Sequence, residues 1–181
     1  MPVPLENLAA WPPVSGLIFM SRSTGVAFNE VVVSLSGRSG SKPALQRFAL
    51  WLAVGLCALL ALISLTPLSS LWFNGISGLS PDLVEIARLA VPLGILLPAM
   101  TVYQSLHTGY LVNAHKTRAV PESVGLFLVV TTACLSIGAW TDALPGVKVT
   151  LLSITAGAAA QNLWLWYRQR TLSEPDAPVK A

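Results

Sequence analysis

Charged side chains are what this sequence has least of. Asp, Glu, Lys and Arg make up 10% of its 181 residues, against about 25% in an ordinary soluble domain. So little charge cannot cover a chain of this size in water, and the 54% hydrophobic content points to lipid as its main solvent. Cysteine is equally sparse. Cys57 and Cys134 both fall in apolar runs, which excludes a disulfide framework and a clustered zinc site and leaves them as small core residues. The two histidines, His107 and His115, stand eight apart with no Cys, Asp or Glu between them. They are expected to be interfacial rather than a metal or proton-relay pair. No nucleophile elbow, phosphate-cradling glycine loop or paired carboxylates occur, so no catalytic residue, metal or cofactor is expected.

What the sequence has in abundance is long apolar runs. Four windows, 48–65, 89–106, 124–140 and 149–167, contain no Asp, Glu, Lys or Arg. Crossing a bilayer takes roughly 20 such residues at about 1.5 Å rise each, and a charge at mid-helix costs about 2.5–3.5 kcal/mol on insertion scales. A fifth window, 8–35, carries Arg22, Glu30 and the pair Pro12-Pro13. It either spans with its polar residues turned to other helices or lies on the surface. Its start, MPVPLENLAA, has no basic n-region and does not read as a cleaved signal peptide. The expected fold is an all-α polytopic membrane bundle of about five transmembrane helices over residues 1–170. A disordered tail is expected over 171–181, where TLSEPDAPVKA loses the apolar pattern.

The net charge of +3 does not call for nucleic acid, because the basic residues alternate between loops. Arg38, Lys42, Arg47, Lys116, Arg118, Arg168 and Arg170 flank one set of turns, whereas Arg88 and Lys148 flank the other. Basic residues accumulate in cytoplasmic loops, which predicts an integral membrane protein with a cytoplasmic C-terminus. HTGYLVNAHKTRAVPES then becomes a cytoplasmic turn, with Pro121 starting the next helix. The opposite loop, Thr66 to Leu83, is expected to re-enter the external interface, anchored by Trp72 and Phe73.

Polar and helix-breaking groups inside the spans mark the candidate site. Pro92, Gly94 and Pro98 interrupt one window; each proline frees a carbonyl, which in lipid needs a neighbouring helix or a wet cavity to satisfy it, so a hinge is expected there. Arg22 and Glu30 project about 80° apart on an ideal helix, so both fit one cavity. Ser153 and Gly157 lie on one face of the last window, as a close-packing stripe. Gln161 and Asn162 follow, suited to interhelical hydrogen bonds or to cargo.

The run FNEVVVSLSGRSGSKPALQRFALWLA, then TPLSSLWF, then RLAVPLGILLPAMTVYQSLHTGYLVNAHKTR and two more helices resembles the C-terminal half of the MATE-like fold of the multidrug/oligosaccharidyl-lipid/polysaccharide flippase superfamily. Within it, the nearest likeness is to bacterial relatives of the progressive ankylosis protein. The resemblance covers about residues 10–170 and matches the last five helices of a plan with two six-helix bundles around a central cavity. It implies a non-enzymatic transport module in a bacterial plasma membrane that moves an amphipathic or anionic solute, or a lipid-linked substrate, by alternating access. It implies Arg22, Glu30, Gln104 and Asn162 as cavity-lining residues. Further helices, from a second copy or another chain, would complete the cavity. Two other readings remain open: a structural membrane subunit or truncated remnant packing through the Ser153/Gly157 face, and a membrane-embedded enzyme using His107 or His115.

Overall fold

The computed structural model describes residues 4–38, 40–141 and 144–173, and the regular elements among them are all helical. α1 runs over Pro4–Leu35 and α2 over Ser41–Leu65. α3 is a single turn, Leu68–Ser70, continuing into a π-helical turn at Leu71–Ile76. α4 covers Pro81–Ala90, a 3-10 turn covers Val91–Gly94, and α5 covers Leu97–Asn113; α6 is Ala119–Thr141 and α7 is Gly146–Ser173. The last helix thus takes in Thr171 to Ser173, at the start of the expected tail, because no proline before Pro175 removes a backbone donor. The rest of the tail lies outside the described residues.

Among the described residues, three helices are long and apolar enough to cross a membrane: α2, the interrupted helix Pro81–Asn113, and α6. Their outer faces are apolar, with Trp51, Val54 and Leu62 exposed on α2 and Leu128, Val129 and Ile137 exposed on α6. Continuous apolar surface of this kind belongs in lipid. The molecule is therefore a helical membrane protein. α1 and α7, at 32 and 28 residues, also have the length to cross, but carry more polar groups, including Arg22 and Glu30 on α1 and Gln161, Asn162 and Gln169 on α7.

Contacts between helices fix their directions. Along α1 and α5, Ile18 lies beside Gly94, Arg22 beside Thr101 and Val32 beside Gly109, so the two run parallel. α7 runs the same way, with Thr155 beside Leu93 and Gln169 beside His107. α6 is antiparallel to α7, and α2 is antiparallel to α5, since Lys42 meets Tyr110 while Ser64 and Pro92 line one cleft. The turns after α1 and α5 and the end of α7 consequently meet at one end of the bundle. Arg38, Lys42, Arg47, Lys116, Arg118, Arg168 and Arg170 gather there, as the alternation of charge required.

Two large apolar clusters fill the interior, beside a small third of Leu111, Ala119 and Leu165. One joins Val14, Leu17 and Ile18 of α1 to Leu60, Phe73, Val91, Leu97 and Leu151; the other joins Phe28 and Val32 to Leu45, Ala49, Val102 and Leu106. The aromatic loop residues tie the turn after α2 to the bundle instead of to a membrane interface: Phe73 is fully buried in the protein core, and the Trp72 indole Nε1 donates to the Pro13 carbonyl at 3.3 Å. Ser153 and Gly157 are buried against the chain's own α6. A methyl group at Gly157 would strike Thr131 Oγ1 and come within 3.1 Å of the Phe127 carbonyl oxygen. That face is therefore occupied and presents no surface to a separate partner.

Candidate functional site

The site is organised by the break in the helix Pro81–Asn113. Pro92 and Pro98 lack the N–H groups that would bond the carbonyls four residues earlier, and the backbone tightens into the 3-10 turn between α4 and α5. Around the break, hydroxyls take up carbonyls. Thr101 Oγ1 donates to the Leu97 carbonyl at 3.0 Å, and Thr155 Oγ1 of α7 reaches the Leu93 carbonyl at 3.4 Å. The carbonyls four residues before the prolines are those of Arg88 and Gly94, so these two hydroxyls bond carbonyls beside the break and do not replace the missing amides.

Three clefts flank this helix. The first, about 460 Å³, opens between α1, the start of α5 and α7, and is lined by Trp11, Ser15, Phe19, Arg22, Leu97 and Ile154 among others. Arg22 is half-buried, and its Nε donates to Thr101 Oγ1 at 2.7 Å. No carboxylate among the described residues pairs with it. One hydroxyl thus accepts from the guanidinium and donates to the first carbonyl of α5. The second cleft, about 530 Å³, includes Pro92 together with Glu85, Arg88 and Ser64.

The third, about 540 Å³, lies between α5 and α7 and is lined by Met100, Tyr103, His107, Asn162 and Trp166. His107 Nδ1 donates to Gln169 Oε1, and the Tyr103 ring stacks on the imidazole with centroids 6.4 Å apart. Asn162 Nδ2 donates to the Ala158 carbonyl at 2.8 Å, while its buried Oδ1 has no partner. The arrangement is apolar with a few fixed polar points, which suits an amphipathic molecule better than a small hydrophilic one.

The sequence-derived candidates separate into groups. Arg22 and Asn162 line clefts, but not the same one. Glu30 does not join Arg22: it is exposed on α1, because Phe28 and Val32 on either side of it turn inward and a step of two residues rotates about 200°. Gln104 is half-buried on α5 outside the clefts of Arg22 and Asn162. Gln161 bonds between helices, its Nε2 donating to Ser123 Oγ at 3.4 Å. Thr101, Thr155 and Gln169 went unnoticed in the sequence. Only the spacing of Thr101 from Leu97, one helical turn beyond the break, offered a signal for any of them.

The basic end is held by few ion pairs. Arg168 reaches Glu122 at 3.1 Å and Arg118 approaches the same carboxylate at 3.8 Å. Arg170 sits over the Trp166 ring at 3.9 Å, an arrangement suited to a membrane interface. Compared with protein-family models, curated proteins and solved structures, the chain matches none, so its chemistry has to be read from its own residues.

Proposed function

We propose that this chain is a membrane transport module of the MATE-like kind, with α1 and α7 crossing the bilayer beside the three apolar spans and the basic end on the cytoplasmic side. Its cargo is an amphipathic or anionic solute, or a lipid-linked substrate. Helices from a second copy or another chain close the clefts into a central cavity. The observation that carries this reading is the link from Arg22 through Thr101 to the Leu97 carbonyl at the helix break. A charge inside a membrane domain is costly and therefore a functional candidate, and here it is tied to the one place where the spanning backbone is interrupted.

An anionic group drawn to the guanidinium competes with Thr101 for the side chain. Release of Thr101 alters the support of the break, so occupancy and bend are linked, as alternating access requires. The chain does this by binding alone; no covalent chemistry enters.

The test is efflux from proteoliposomes loaded with carboxyfluorescein, an amphipathic anion, using protein extracted with its native neighbours. Arg22→Ala should lower the flux at least roughly tenfold, about 1.4 kcal/mol in the barrier, while Arg22→Lys keeps part of it. Equal flux in wild type and Arg22→Ala would sink the assignment of the cleft.

A further inference from the structure

The cleft between α5 and α7 takes no part in the link from Arg22 to the helix break, and its chemistry differs. It measures about 540 Å³, within the roughly 300–1,000 Å³ of small-molecule sites. Among the described residues that line it, none is Asp, Glu, Lys or Arg, and Arg170, which covers the Trp166 ring, is not part of the wall. A charged ligand would shed its hydration there without meeting a counter-charge, so the occupant is neutral. Leu96, Leu163 and Trp166 of the lining stand exposed at the mouth, on the flank of a helix apolar enough to cross the membrane. A ligand that enters by such a mouth comes from the bilayer and is lipid-soluble.

Two acceptors in the wall go without a donor. His107 Nδ1 donates to Gln169 Oε1, so the neutral ring keeps Nε2 as an acceptor, and Nε2 has no partner among the described residues. Asn162 spends its Nδ2 on the Ala158 carbonyl, which leaves Oδ1, buried and unbonded. Unpaired polar groups in an apolar wall carry a desolvation penalty, which a ligand with an O–H to give relieves.

His107 is held ready for that contact. Gln169 fixes which nitrogen carries the proton, and the Tyr103 ring stacks on the imidazole with centroids 6.4 Å apart. An acceptor already fixed in place receives a hydroxyl with little further loss of freedom. The Met100 thioether and the rings of Tyr103 and Trp166 make up much of the remaining wall. Sulfur and aromatic edges favour a flat aromatic body over a flexible chain.

We infer that this cleft binds a neutral, lipid-soluble phenol, whose hydroxyl donates to His107 Nε2 while its ring lies among Met100, Tyr103 and Trp166. The aromatic walls select a phenol over an aliphatic alcohol, and a phenolic O–H is the stronger donor of the two. The assignment stands whether or not the chain moves a solute, because it uses neither Arg22 nor Thr101.

The experiment is a melting curve of the full chain, purified in dodecyl maltoside, with para-octylphenol and with para-octylanisole, a methyl ether that keeps the ring and tail but has no hydrogen to donate. The phenol should raise Tm by roughly 5–10 °C at about a hundred times Kd. The ether, binding about tenfold more weakly for want of one hydrogen bond, should give about half that shift at the same concentration. The difference between the two should disappear in His107→Phe, which keeps a ring against Tyr103 but has no acceptor. Both shifts should disappear in Ala159→Phe, which fills the cleft, and both should remain in Phe19→Ala, in the cleft of Arg22. Should His107→Phe fail to fold, the comparison of phenol with ether in the wild type and the loss in Ala159→Phe still decide. Equal shifts from phenol and ether in the wild type overturn the proposal, as does a difference that persists in His107→Phe or a shift that survives Ala159→Phe.

Discussion

The α6–α7 hairpin and the interrupted helix α4–α5 solve the same problem, holding polar backbone in lipid, in opposite ways. The hairpin packs closely along its length. Val149 packs into the space beside Gly138, Gly157 against Phe127 and Thr131, Gln161 meets Ser123, and Arg168 meets Glu122, an unbroken seam from one end to the other. The interrupted helix leaves gaps: two amide donors missing at Pro92 and Pro98, and clefts on several sides. A seam of that kind has one arrangement, whereas a helix with such gaps has alternatives. The contrast sets a closely packed region beside an open one.

The sharpest way to break this contrast is to overfill the seam. Gly157→Leu puts a branched side chain where even one methyl meets Phe127 backbone. Overpacking costs about 1–3 kcal/mol, and more where backbone blocks relaxation. The variant should lose its monodisperse peak in detergent, whereas Gly55→Leu, on the open surface of α2, should not. Equal behaviour of the two would abolish the idea of a tight seam.

Straightening the break comes next. Pro92→Ala with Pro98→Ala returns two backbone donors, and a proline inside a helix costs about 3 kcal/mol. The melting temperature should rise while carboxyfluorescein efflux falls roughly tenfold; a rise in both would make the break a passive kink. Thr155→Val, which leaves the Leu93 carbonyl unbonded, should destabilise by about 1 kcal/mol and change the rate of efflux in addition. The smallest effect is expected from Gln161→Leu, where one interhelical hydrogen bond is worth about 0.6 kcal/mol in a membrane. Melting curves of the two variants should rank them in that order.

Much of this architecture was legible in the sequence because its causes are local. Proline removes a donor wherever it stands, so Pro92 and Pro98 announced the break. The basic residues marked one end of the bundle because insertion sorts charge loop by loop. The small residues Ser153 and Gly157 announced a close contact, although not that α6 would be its other half. What stayed hidden depends on how helices are rotated and shifted against one another. Arg22 and Thr101 are 79 residues apart and His107 and Gln169 are 62 apart, and no periodicity within one helix reports such pairs. Glu30 failed for the same reason: a shared cavity with Arg22 was permitted by an 80° separation, but the packing of Phe28 and Val32 turned it outward. Five crossings, rather than the three apolar ones, rest on α1 and α7, whose polar residues blur the hydropathy signal.

Among the contacts that join the two regions is the hydroxyl of Thr155 on the Leu93 carbonyl. At 3.4 Å it is a long bond, and it lies at the break itself. Like a detent on a shaft, it marks one angular position and yields under modest load. A swing of α4 past this stop would be felt by the hairpin at this oxygen first, with the bond from His107 to Gln169 further along still in place.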